Sequence, residues 1–362
     1  MVGILKKLIS FPTISQHLKE NKRAIFWIKE KFKNFPLHFK YFEFSGHPSL
    51  LILTKKTKTP TLWLAAHIDV VPGPRNLFSP KIKGKKLIGR GAFDMKFAIA
   101  CYLKLLEDLK NELKNYNFGI MITSDEEIGG FFGTKKILEK GFSGKVCFLP
   151  DGGQDWKFER GAKGVLHLKV ECFGKSAHGS RPWEGEGANE KLIEFLNKLR
   201  KFFPKEPCKT KDHWHSTLTI GKIEGGKATN QVSDFSRAFL DIRSPSSRLK
   251  EKIFEKIERI KKELRGIKIE KIVEASPYSV DLNNSYLKLF SKIAKEKFKI
   301  KTGFVFSHGS SDARFFVEKK IPTILIRPKG GGHHSEKEWI DIEDLKKFYF
   351  VLKEFVFSVS KI

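Results

Sequence analysis

In "AAHIDVVPGP", residues 65–74, a histidine and an aspartate stand two residues apart at the end of an apolar run. A lone His-x-Asp suits a packed core histidine as well as a metal ligand, so the rest of the chain has to decide. "FGIMITS" leads into Asp125-Glu126-Glu127, "KVCFLP" ends at Asp151, and "PTILIRP" leads through a glycine run to His333-His334. "GRGAFDMK" places Asp94 directly before a helix expected to start near Met95, where it can act as N-cap, as metal ligand, or as both. Together these segments offer two histidines and three carboxylates, with one carboxylate to spare. Imidazole and carboxylate without thiolate suit zinc, or cobalt or manganese. One metal takes three protein ligands in an open site, so five invite two metals that share one, with a hydroxide held between them. Of the neighbours Glu126 and Glu127, one can bind metal while the other faces the bound water as general base and returns the proton to the leaving amine. Asp69 suits a carboxylate that holds the His67 ring in the correct tautomer.

The elements that must carry these residues follow from the hydrophobic pattern. From 61 to 150, "TLWLAA", "MKFAIACYLKLLEDLK", "FGIMITS", a helical stretch near 133–140 and "KVCFLP" alternate strand with helix, which predicts a mostly parallel sheet flanked by helices. The alternation resumes with the helix "SYLKLFSKIAKEKF", the run "PTILIRP" and a last helix from about 342. In such a sheet the carboxyl ends of the strands share one edge, where ligands bind. Between these halves, "GVLHLKVECFG", "STLTIGKIEGG", "FSRAFLDIRS" and "GIKIEKIVEA" read as strands, with helical patterns at 188–202 and 248–264. That order is β, α, β, β, α, β, a ferredoxin-like α+β unit. Residues 164–272 are therefore expected to form a second domain inserted into a catalytic domain made of 1–163 and 273–362.

Composition narrows the partners. Lys plus Arg exceed Asp plus Glu by 69 to 41, a formal charge of +28 that invites a nucleic-acid reading. The lysines, however, alternate with Glu and apolar residues at helical spacing, as in "KEKIFEKIERIKKEL", which is a solvated helix face. Specific nucleic-acid binding is not expected. No apolar run approaches the roughly 20 residues of a membrane span. "MVGILKKLISFPTIS" reads as a first helix rather than a leader. Cys101, Cys147, Cys172 and Cys208 form no CxxC pair, which points to a reducing cytoplasm and against a cysteine-held metal.

"HIDVVPG", "GRGAFDMK", "SDEEIGG", "PDGG", "GKSAHGSRPWEGEGAN" and "GGGHHSEKEW" together resemble the dinuclear zinc metallopeptidases and deacylases of family M20. That family includes carnosine-type dipeptidases, aminoacylases, carboxypeptidase G, acetylornithine deacetylase and succinyl-diaminopimelate desuccinylase. The resemblance implies a zinc-peptidase-like catalytic domain with a lid that also dimerises. It implies two zinc ions per subunit: one on His67 and Asp151, the other on Glu127 and His334, with Asp94 bridging and Glu126 as base. His334 is chosen over His333 because the family's ligand histidine lies four residues before a glutamate, here Glu338. By the same resemblance, His178 stabilises the oxyanion, supplied by the partner subunit in dimeric members. Asn230 and Arg243 match lid positions that bind the substrate carboxylate or the dimer surface, although a salt bridge within the lid explains Arg243 almost as well, and Ser311 and Arg314 match a substrate-side loop. His213 and His215 are assigned no function.

The expected reaction is metal-dependent hydrolysis of an amide bond in a small substrate. An aspartate at 151 goes with the family's dipeptidases and aminopeptidases, whereas "DMK" resembles its deacylases. The metal-touching residue carries more weight, which favours a short peptide over an N-acyl amino acid. A non-catalytic basic binding protein is the rival of a different class, and the intact ligand set and Glu126 speak against it.

Overall fold

A computed structural model of the chain describes residues 1–205 and 212–362. Cys208 lies outside the described residues. The chain divides into two units. One comprises Met1–Arg160, Ser279–Val305 and Ser311–Ile362, and the other Gly161–Tyr278 with Phe306–Ser310.

Among the described residues, the larger unit is built on a six-stranded sheet. Its strands Phe118–Thr123, Leu62–His67, Val146–Phe148 and Thr323–Ile324 run parallel in that spatial order. Leu62–His67 and Phe118–Thr123 are buried at every position, as strands covered on both faces must be. An antiparallel hairpin, His38–Phe44 and His47–Leu53, extends the sheet beyond Phe118–Thr123. Its two-residue turn uses Ser45 and Gly46, both at positive φ, the geometry that matches strand twist. Neither strand of this hairpin alternates cleanly between buried and exposed residues, so the hydrophobic pattern does not predict it. Several phenylalanines of this unit gather in its core: Phe290 lies 5.4–6.2 Å, ring to ring, from Phe148, Phe348 and Phe355. Burying each such ring contributes roughly 1.5–3 kcal/mol. At the start of the helix Lys96–Asp108, the fully buried Lys96 donates to the carbonyls of Leu8 and Phe11 at 3.1 and 2.9 Å. Burial brings its pKa down to about 7.

In the other unit a four-stranded antiparallel sheet runs Thr217–Gly225, Phe235–Ser244, Gly164–Phe173, Ile267–Ala275. With helices Ala188–Arg200 and Ser247–Glu263, this is the ferredoxin-like order. Phe235–Ser244 buries every second residue, so one sheet face meets the helices. Helix Ala188–Arg200 answers with Ala188, Leu192, Phe195, Leu196 and Leu199, one stripe at helical spacing. Ser246 caps the second helix by accepting from the Leu249 N–H at 3.3 Å. The segment Phe306–Ser310 belongs to this unit, and its Phe306 stacks on Trp214 at 3.9 Å, a contact between residues far apart in sequence. No helix among the described residues is long and apolar enough to cross a membrane.

Candidate dinuclear metal site

The parallel strands bring their following residues to one place. His67 ends its strand, Asp125-Glu126-Glu127 follows Phe118–Thr123, and Asp151 lies three residues past Val146–Phe148. Donor atoms fall into two groups, His67 with Glu126 and Asp151, and Asp94 with Glu127 and His334, each within 4.8 Å. His67 Nε2 lies 3.5 Å from Asp94 Oδ1, 3.6 Å from Asp151 Oδ1 and 3.9 Å from Glu126 Oε2. His334 Nε2 lies 3.2 Å from Asp94 Oδ2 and 3.1 Å from Glu127 Oε2. Asp94 thus turns one oxygen to each histidine. His333 belongs to neither group.

Behind these donors sit buried carboxylates. Asp69, fully buried, accepts from the Glu126 and Glu127 N–H groups at 3.3 and 3.1 Å and from Ser15 Oγ at 2.8 Å. His67 Nδ1 lies 3.0 Å from the Asp69 carbonyl oxygen, which can only accept, so the ring proton sits on Nδ1. In the neutral ring that a metal would ligate, Nε2 is a bare lone pair, and it is buried with no hydrogen-bond partner among the described residues. Such an orphan in a ring of oxygens is what a divalent metal would satisfy, and the oxygen and nitrogen donors suit zinc, cobalt or manganese.

Asp94 does not cap the helix that follows. Met95 takes the N-cap position, and the Asp94 carboxylate is drawn instead to His334 and to Arg327 Nη2, 3.1 Å away. Its loop is held by Glu338, which accepts from the N–H groups of Gly91, Phe93 and Asp94 at 2.9–3.0 Å and from Arg90 Nη1 at 3.0 Å. In the sequence Glu338 was only a spacing marker. Arg327 is not among the expected residues, although it directly follows the apolar stretch "ILI" at 324–326 just as His67 directly follows "TLWLAA".

The titration shifts describe a site rich in negative charge. Burial works against a charged His67, but Asp151, Asp69 and Asp94 outweigh it and raise its pKa well above the usual value. Burial lifts Glu126 well above the carboxylate range, with Asp151, Asp312 and Glu127 adding to the rise and His67 opposing it. Glu127 is also raised by burial, partly offset by His334. Asp94 and Glu127 push His334 up to about 10. Protons gather where a cation would neutralise the same oxygens.

Other expected residues take different places. Ser311 is buried, and its carbonyl accepts from the buried Arg314, whose Nη2 also donates to the Gly129 carbonyl just past Glu126 and Glu127. In the inserted unit, the backbone pairs His178 with Gln231, beside Asn230, and His178 is exposed with Ser180 Oγ 2.8 Å from its Nδ1. Arg243 closes its fork on Asp241 at 2.7 and 3.0 Å, the salt bridge left open by the sequence.

Comparison with known proteins bears on this geometry. The family model described as peptidase family M20/M25/M40 matches residues 63–358. A relative from Pelagibacter ubique, named succinyl-diaminopimelate desuccinylase, is 30% identical and covers 98% of this chain and 97% of its own length. A tripeptidase from Staphylococcus aureus has the same fold, with TM-score 0.81 at 21% identity over 99% of this chain and 97% of its own. An M20 family metallo-carboxypeptidase from Sulfolobus solfataricus matches with TM-score 0.82 at 18% identity, covering 98% of each chain. The chain belongs to peptidase family M20/M25/M40 and is a hydrolase of amide bonds.

Proposed function

We propose that the chain hydrolyses the amide bond of short, free-amine peptides at a two-zinc centre held by His67, Asp94, Glu127, Asp151 and His334. The observation that carries the peptide reading is Asp151, a short carboxylate standing 3.6 Å from His67 at the strand end. Bound zinc would polarise the scissile carbonyl and make a water acidic enough to attack. Glu126 takes the proton of that water and passes it to the leaving amine. Burial raises its pKa above the ordinary carboxylate range, the direction that a base which later returns its proton requires. Asp69 keeps the His67 proton on Nδ1 and braces the backbone that presents Glu126 and Glu127. His178 donates to the developing oxyanion. Asn230 and Ser311 contact the substrate, whereas Arg243 pairs with Asp241 on its own strand and Arg314 secures the Gly129 loop.

Exposed Trp183, Ile193 and Ile223 favour pairing of two chains through the inserted unit. The free, buried Cys101, Cys147 and Cys172 fit a reducing cytoplasm. An N-succinyl amino acid is the second reading, favoured by the name of the Pelagibacter ubique relative. A panel of unblocked dipeptides beside N-acetyl, N-succinyl and N-carbamoyl amino acids, with and without chelator, separates the two. Chelator-sensitive cleavage of the dipeptides is the expected result. Cleavage of only the N-acylated compounds would move the chain to the deacylases.

A further inference from the structure

The strand Thr323–Ile324 delivers a side chain that the ligand set does not need. Arg327 is only 7% exposed, and its Nη2 lies 2.7 Å from Asp151 Oδ1 and 3.1 Å from Asp94 Oδ1. These are the two oxygens that lie nearest His67 Nε2. The guanidinium is pinned: Nε donates to the Pro150 carbonyl at 3.3 Å, and the group stands 5.2 Å from the centre of the Phe93 ring. The other half of the centre differs. Asp94 Oδ2 and Glu127 Oε2 face His334, and among the described residues Arg327 makes no ion pair with Glu127.

A fixed guanidinium on two acid oxygens supplies the charge that a metal beside His67 would otherwise supply. It also repels any metal that binds there, and because arginine stays protonated in proteins, pH does not relieve the repulsion. We propose that Arg327 makes the two halves unequal: Asp94, Glu127 and His334 hold one metal firmly, while the His67–Asp151 half takes its metal weakly and exchanges it. This rests on reading the site as a metal centre.

Equilibrium dialysis of the full chain against buffered zinc, with bound zinc counted per chain, tests it. The wild type should bind its first ion at least about tenfold more tightly than its second, within the range by which surrounding groups tune metal affinity. Arg327→Met should close that gap by tightening the second ion, and Arg327→Lys, which keeps the charge, should preserve it. Glu127→Gln should lose the firm ion and Asp151→Asn only the weak one. If Arg327→Met fails to fold, Arg327→Gln takes its place with the same expected result, while these two variants and the wild type show independently which half is firm. Equal affinities in the wild type would overturn the proposal, as would weakening of both ions in Arg327→Met or loss of the firm ion in Asp151→Asn. A wild-type chain that binds no zinc at all would instead sink the metal-centre reading itself.

Discussion

Asp69 and Glu338, in the larger unit, are buried carboxylates that accept backbone N–H groups, whereas His178, in the inserted unit, stands exposed on a loop with Ser180 as its partner. The first arrangement braces His67, Glu126, Glu127 and the Asp94 loop from behind, before any cation arrives. In the second, the buried side chains serve the two-layer core, and a group proposed for chemistry is left at the surface. The contrast teaches that the larger unit is preorganised for charge, while the residue proposed for chemistry in the inserted unit stands where solvent also reaches it.

The sharpest way to break this contrast is Glu126→Gln. Turnover should fall by about 10²–10⁴-fold while the zinc content of the protein stays unchanged. Retained activity would remove Glu126 from the reaction. His178→Ala tests the opposite side, with an expected loss of about 10²–10³-fold in kcat and an unaltered melting temperature and metal content. If kcat does not move, the inserted unit gives no oxyanion donor. Glu338→Ala should weaken zinc binding by about 10–100-fold. It should also cost roughly 1–3 kcal/mol for each N–H left without a partner, read by urea unfolding. A variant with wild-type zinc affinity would show that the Asp94 loop holds itself.

Titration gives a smaller effect with a definite sign. His334 holds its proton up to about 10, so protons compete with metal below that pH, and zinc affinity should climb as pH rises through neutrality. The metal-free chain should behave in the opposite way. Its folded-state imidazole has the raised pKa, so the stability it contributes is complete below about 6.5 and is lost as pH rises toward 10. Zinc binding measured by calorimetry and metal-free unfolding, each across pH, check the two slopes. Parallel slopes would mean that His334 is not where metal and proton compete. The smallest effect belongs to the inserted unit: Ser246→Ala removes an N-cap and should cost about 1 kcal/mol without changing zinc content. A change in zinc content would contradict the separation of roles drawn above.

Much of the architecture was legible because the relevant patterns are local. The apolar runs that end at His67 and Asp151 are strands buried on both faces, and the alternation in "FSRAFLDIRS" is a strand buried on one. The hairpin at 38–53 was missed because its first strand is half-buried nearly throughout while its second is wholly buried, so neither alternates cleanly. Asp94 was only half read. An aspartate before a helix signals a cap, and nothing local announces that Arg327 and His334, more than 230 residues on, will claim its oxygens. Arg327 carried the same strand-end signal as the ligands, but a basic side chain is not sought among metal donors. That Phe306–Ser310 belongs to the inserted unit, where Phe306 meets Trp214, has no local signature.

Lys96 has a practical consequence for anyone handling this protein. Its amine is satisfied by two carbonyls of the first eleven residues, yet it sits two positions from Asp94. Trimming the amino terminus, or pulling it aside with a fusion partner, would leave that amine without acceptors and so disturb the loop that carries Asp94. A tag at the carboxyl end avoids this coupling and is the sounder choice for measuring metal content.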